Sequence, residues 1–191
     1  PRPVRAPRSA IVVNSVARSP CQRKNFSGDS YSKRIARLPL SSAGNGAASK
    51  LIFSWAGKPG VGSLPRLRDA VEQKWPAPLA LEEHSHAGMA AGYAAGAAHL
   101  PFGVLRGYVG SDLPKYNSNI RFMDCPFTGE RLAAVPGIRP DVAVVHAQKA
   151  DRRGNVLMWG VTGVQKEAAM AAKRAIVTVE EIVDRLDAPP N

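Results

Sequence analysis

The sequence predicts an α/β fold, a mostly parallel sheet flanked by helices, on three observations. Short apolar runs at residues 51–55, 79–81, 104–105, 141–147, 156–159 and 175–179 alternate with stretches of helical pattern, and that alternation is how parallel sheets are built. The run DVAVVHA at 141–147 is almost continuously apolar, as strands of parallel sheets are. Between two of the runs lies a helix of small residues, 87–98, preceded by two acids and two histidines. In open α/β sheets the functional crevice lies beyond the carboxyl ends of strands, where this polar cluster falls.

Taken in order, residues 1–49 read as a poorly structured leader. Pro1, Pro3, Pro7, Pro20 and Pro39, with many Ser and Arg, break any period, and only Ala10 to Val13 resembles a strand fragment. Residues 51–55 (LIFSW) form the first strand of the regular part, and Gly57-Lys58-Pro59-Gly60-Val61-Gly62 a loop. Ser63 is placed as an N-cap, with Leu64, Leu67 and Val71 on one face of the following helix. After the strand at 79–81 come Glu82-Glu83-His84-Ser85-His86, and then Gly88, Gly92 and Gly96 every fourth residue. On a helix these glycines share a side, where another backbone can approach.

Leu100-Pro101-Phe102 stops that helix, and Val104-Leu105 begins an extended run. Residues 114–140 read as irregular and 148–155 as a polar turn. Residues 164–174 (VQKEAAMAAKR) have strong helix propensity. The strand at 175–179 is followed by Glu180 and Glu181, and residues 185–191 form a tail.

The chain of 191 residues is long enough to bury a core, and 45% of it is hydrophobic. No apolar run reaches the length of a membrane span. The net charge of +11 invites a nucleic-acid reading, but its distribution opposes one. Residues 1–49 hold nine Lys/Arg against Asp29 alone, leaving 17 basic and 14 acidic residues for the rest. The leader is basic and the remainder ordinary, with no nucleic-acid motif. Arg-rich, Ser-rich and acid-poor is also the composition of a transit peptide. Two cysteines, Cys21 and Cys125, fit a reducing compartment.

Several residues are candidates for chemistry. A glycine loop entering a helix can hold a phosphate on its N–H groups, but residues 57–63 lack the ending of a P-loop and the spacing of a dinucleotide fingerprint; a tight turn explains them equally. His84 and His86 would share a face on a strand, yet nothing nearby completes a four-ligand set, so no metal site is expected. Cys125 has no basic neighbour in sequence to activate its thiol. Spacing alone leaves Glu82 and Glu83 open between a solvated loop and a reactive site.

From Lys50 to Asp184 the residues carry a resemblance. The blocks KLIFSWAGKPGVGSL, LEEHSHAGMAAGYAAGAAHLPFGVLRGYVGSDL, CPFTGERLAAVPGIRPDVAVVHAQKADRRGNV and WGVTGVQKEAAMAAKRAIVTVEEIVD resemble the A (alpha) subunit of the family I coenzyme A transferases. EEHSHAG and LRGYVGSDLP are most similar to the alpha subunits of actinobacterial steroid ring-opening CoA hydrolases, with the alpha subunit of glutaconate CoA-transferase a near neighbour. The resemblance implies a CoA-transferase-like, NagB/RpiA-type α/β fold and a B subunit, the two forming a heterodimer or heterotetramer. It also implies a CoA thioester substrate with a carboxylate acceptor, no permanently bound cofactor, and a cytoplasmic location.

In the transferases a glutamate, usually of the B subunit, attacks the thioester carbonyl. In the hydrolase branch the resemblance points to an alpha-subunit glutamate of the EEHS motif: Glu83, with Glu82 in reserve. It further assigns His84 and Ser85 to orienting that glutamate, and Gly57, Gly60, Gly62 and Ser63 to the floor near CoA. Arg106, with Asp112, is expected to contact substrate or form an ion pair; Gln148, Asp151 and Asn155 are expected to contact ligand or partner. Residues 1–49 do not resemble the family's Gly-rich opening, and the family continues past Asp184. The expectation is therefore a partial alpha-subunit domain at 50–184, truncated at both ends, behind a mis-assigned leader. The competing class is an inactive fragment or a non-catalytic binding or assembly module with a basic tail.

Overall fold

Leu51 and Phe53 alternate with half-buried Lys50 and Ile52 along the first strand of the regular region, and that period of two sets one face inward. The computed structural model describes residues 10–13, 48–56 and 64–187. In chain order the elements are β1 (Ala10–Val13), β2 (Lys50–Phe53), α1 (Pro65–Glu72), β3 (Ala80–Glu83), α2 (His86–Ala97), β4 (Phe102–Leu105) and α3 (Leu113–Tyr116). There follow β5 (Arg121–Asp124), β6 (Arg131–Pro136), β7 (Val142–Asp151), β8 (Val156–Leu157), α4 (Gln165–Ala171) and β9 (Arg174–Val183).

Two compact units divide the described residues. One gathers 10–13, 48–56, 64–89 and 105–133; the other gathers 90–104 and 134–187. In the first unit β1, β2 and β3 form a sheet in that order, parallel at both pairings. The strand fragment read at Ala10 to Val13 is thus a strand of this sheet, and Ala10 pairs with Lys50. Parallel neighbours need a crossover, and α1 supplies it between β2 and β3. Its Ala70 and Leu67 pack on Leu51, Phe53, Ala48 and Leu79, a small apolar core beneath the strand ends that carry the acids.

In the second unit β7 lies between β8 and β9, antiparallel to β8 and parallel to β9 from Val142↔Arg174 to Asp151↔Val183. A third sheet has the order β4-β6-β5.

Several expectations are corrected. Helix α1 starts one residue later than the sequence suggests: Pro65 sits in its first turn and the N-cap is Leu64, with no side-chain capping bond. Proline is pre-shaped for that position. Ser63, with Gly57, Gly60 and Gly62, lies outside the described residues. Residues 114–140 are not irregular, since they hold part of α3 and all of β5 and β6. The strands are short and flanked by charge, which hid their period; the turn between them closes where Gly129 takes φ +71. Strand β7 runs on to Asp151, so Gln148 is a strand residue and the polar turn begins only after Asp151. Only one face of β7 is covered, with Ala143, Val145 and Ala147 buried but Val142 and Val144 exposed. Strand β9 likewise continues through Glu180 and Glu181.

Candidate active site

The two acids of the polar cluster are the last residues of β3, not members of a loop. Successive strand residues face opposite ways, so Glu82 and Glu83 meet different surroundings.

Glu82 shares its face with Lys50, because Lys50 pairs with Ala80 two residues before it. Its carboxylate accepts from His84 Nε2 at 2.8 Å and is ion-paired with Lys50 Nζ. Its side chain is 10% exposed. The His84 hydrogen bond first, then Lys50 and Asn119, outweigh the cost of burial and hold its pKa down to about 2. A carboxylate so engaged is a weak base and a poor nucleophile. We read Glu82 as a structural acid.

The pH dependence of this contribution has a definite sign. The folded pKa lies below the ordinary 4.5, so the stabilisation is complete above that value and lost as pH falls toward about 2. The depression corresponds to on the order of 3 kcal/mol; discounting for the partly exposed Lys50 leaves roughly 2 kcal/mol. Glu82→Gln is expected to cost that amount at about pH 6, well above the ordinary carboxylate range. Urea melts of both proteins should converge as pH drops below about 4, and a gap independent of pH would refute the assignment.

Glu83 is exposed, and among the described residues no hydrogen bond or ion pair engages its carboxylate. Its main-chain oxygen accepts from Asn117 Nδ2 at 2.7 Å. The chain then turns through His84 and Ser85 into α2. The His84 ring is 4% exposed, and its Nε2 faces both Glu82 and, at 3.3 Å, Asn117 Nδ2. A carboxylate partner requires Nε2 to carry the proton, which leaves the buried Nδ1 without a hydrogen-bond partner.

His84 therefore braces Glu82 rather than orienting the Glu83 carboxylate. Ser85 does not orient it either: Ser85 Oγ accepts from Gly88 N at 3.0 Å, capping α2 as N-terminal serines do. His86 is the first residue of α2, so it does not share a strand face with His84. Among the described residues no group of three His, Cys, Asp or Glu side chains could hold a metal.

The remaining candidates stand elsewhere. Arg106 forms a two-pronged pair with Glu130, 2.7 Å and 2.9 Å long, and Asp112 pairs with Lys115. Gln148 bonds to the main chain of Trp159 through both ends of its amide, the closer contact 3.1 Å from Trp159 N. Asn155 folds onto the buried Asp151, giving Oδ1 its main-chain N–H and Oδ2 its side-chain amide. That side-chain bond first, with further main-chain N–H groups, lowers the pKa of Asp151. Gln148 and Asn155 serve the strand and turn they sit on.

Cys125 has a lowered pKa through Thr128 first, and then through main-chain groups of Phe127 and Thr128. The donors come from its own turn, which is why basic neighbours in sequence are the wrong signal for it.

Lys50, Tyr108, Asn117 and Asn119 escape a reading of the sequence. Lys50 is accessible in principle, since strand pairing places a lysine and a glutamate on one face. Asn117 and Tyr108 carry no local signal.

Comparison with known proteins decides the family. Residues 69–191 match the family model for coenzyme A transferase. This chain belongs to the coenzyme A transferase family. It is 71% identical over 148 residues to the A subunit of 3-oxoadipate CoA-transferase from Pseudomonas knackmussii, covering 78% of this chain and 52% of that protein. It is 30% identical over 113 residues to the cholesterol ring-cleaving hydrolase IpdA subunit of Rhodococcus jostii, covering 56% and 38%. The crystal structure of glutaconate coenzyme A-transferase from Acidaminococcus fermentans matches with a TM-score of 0.67 at 31% identity, over 74% of this chain and 49% of that one. The chain thus has the α/β fold of coenzyme A transferases, and the match spans about half the length of the 3-oxoadipate CoA-transferase subunit and less of the hydrolase subunit. Among the described residues no helix is long and apolar enough to cross a membrane.

Proposed function

We propose that this chain is the alpha subunit of a two-component cytoplasmic enzyme acting on a coenzyme A thioester, and that Glu83 is the carboxylate it contributes in hydrolysis, whereas transfer of coenzyme A to a carboxylate draws its nucleophile from the B subunit. The observation that carries the reaction class is the 71% identity to the A subunit of a 3-oxoadipate CoA-transferase, which also makes a 3-oxo dicarboxylate the favoured acyl group. What supports Glu83 is the contrast at the end of β3, where one acid is ion-paired and the other open.

Transfer needs a carboxylate free to attack. It adds to the thioester carbonyl and expels the CoA thiolate, leaving an acyl-glutamyl anhydride. The thiolate then attacks the glutamyl carbonyl, releasing the acyl group as its carboxylate and leaving a glutamyl-CoA thioester. An acceptor carboxylate runs the two steps in reverse and regenerates the glutamate.

The test is to co-express this chain with its B subunit, then follow loss of a 3-oxoacyl-CoA with and without a dicarboxylate acceptor. CoA passed on only when acceptor is present supports transfer. Free CoA without acceptor supports hydrolysis, the second reading, which the hydrolase-named relative favours and in which water replaces the acceptor. A folded complex with neither activity leaves a binding or assembly module. Mass measurement on the separated chains following exposure to acyl-CoA alone locates the adduct; transfer predicts a CoA mass only on the partner, and one on this chain would move the nucleophile to it.

A further inference from the structure

The turn that carries Glu83 is held at three consecutive main-chain groups. The Glu83 carbonyl accepts from Asn117 Nδ2 at 2.7 Å. The His84 N–H donates to Phe53 O at 2.8 Å. The Ser85 N–H donates to the Tyr108 hydroxyl at 2.9 Å. Asn117 and Tyr108 are 6% and 7% exposed, so the side-chain end of each hydrogen bond is shielded from bulk water.

We infer that Asn117 and Tyr108 are positioning residues for Glu83, fixing the peptides on either side of His84 and hence the direction in which the Glu83 side chain leaves the strand. The inference rests on the reading of Glu83 as the reacting carboxylate. The physical reason is that the peptide after Glu83 is held on both edges, its N–H by the last ladder bond to Phe53 O and its carbonyl by Asn117 Nδ2, so the ψ of Glu83 is fixed. Asn117 is itself oriented, because its Oδ1 accepts from Asn119 N at 3.0 Å while Nδ2 donates to the Glu83 carbonyl. Its amide cannot flip without losing these bonds.

Tyr108 holds a main-chain conformation with φ +73, which a bulky residue keeps only when its contacts over-determine it. Room for its hydroxyl exists because residue 88 is glycine: a Cβ there would lie 1.8 Å from the Tyr108 oxygen. Two buried side chains, one on a strained backbone, therefore converge on the main chain around one exposed acid. Such convergence is what a reacting group held to a fraction of an ångström requires.

The test is a set of double-mutant comparisons on the chain co-expressed with its B subunit. Asn117→Asp keeps the acceptor for Asn119 N–H but replaces the donor facing the Glu83 carbonyl. Tyr108→Phe removes one oxygen and keeps the ring, and it decides the test if Asn117→Asp does not fold. Each is expected to lower kcat about 10- to 100-fold with KM for the CoA thioester within about threefold. In a Glu83→Gln background neither should lower the residual rate more than about twofold, because both act through that residue. Equal losses in both backgrounds, or full kcat in Tyr108→Phe, overturn the inference and leave the role of Glu83 standing. A Glu83→Gln chain with full turnover overturns both.

Discussion

Glu83→Gln is expected to lower CoA thioester turnover by about 10²- to 10⁴-fold with little change in melting temperature. The amide has the carboxylate's shape but neither attacks a carbonyl nor takes a proton. Because the Glu83 side chain is exposed, its replacement leaves no buried group unpaired, so stability should hold. Glu82→Gln gives the opposite pattern. It leaves Lys50 and the buried His84 ring without their anion, and stability falls before chemistry is touched. Measuring kcat and melting temperature for the two variants side by side separates a reacting acid from a structural one, although the two are neighbours in sequence. Full turnover in Glu83→Gln would place the essential carboxylate on the B subunit.

That separation is what the sequence could not make. Adjacent glutamates after an apolar run mark a strand end, and the period of two implies that they face different ways. Which of them is engaged depends on Lys50, which lies on β2, and on Asn119, which lies beyond α3. Both are joined to Glu82 only by the fold. Asn117 is 34 residues from the carbonyl it holds, with no spacing rule linking them. The elements themselves are more legible, because their causes are local. The small-residue helix appears within one residue of its predicted bounds, and the apolar run at 141–147 is indeed a strand parallel to β9. Its continuation through Gln148 and Lys149 is hidden because polar side chains lie on it, and a strand with an open face tolerates them. An ion pair is one of the two roles the sequence allows Arg106; its partner Glu130 is not legible, since it comes from the turn before β6.

The glycine spacing in α2 leads to the other large effect. Gly96→Ala should destabilise the second unit by roughly 3 kcal/mol, although alanine is the better helix former by about 1 kcal/mol. A Cβ on Gly96 would stand 2.0 Å from the Ile138 carbonyl oxygen and 2.8 Å from its carbonyl carbon. Those are main-chain atoms, and the segment they belong to is tied to the same helix by the Ile138 N–H to Gly92 O bond of 2.9 Å. It cannot yield without breaking that bond. At Gly92 the Cβ would stand 3.0 Å from Ile138 Cδ1 and 3.1 Å from the Pro136 carbonyl oxygen, contacts relieved by a shift of a few tenths of an ångström, so Gly92→Ala should cost less. Gly154 has nothing within 4 Å but takes φ +87, so Gly154→Ala meets backbone strain alone, about 1 kcal/mol. In thermal melts the three should rank in that order, with Gly96→Ala lowering the midpoint by roughly 6–12 °C and Gly154→Ala by about 2–4 °C. The ranking matters more than any single value. Helix propensity alone would make Gly96→Ala and Gly92→Ala both stabilising, whereas close approach of another backbone makes the first the worst of the three. A neutral Gly96→Ala would mean that the segment around Ile138 does not pack against α2.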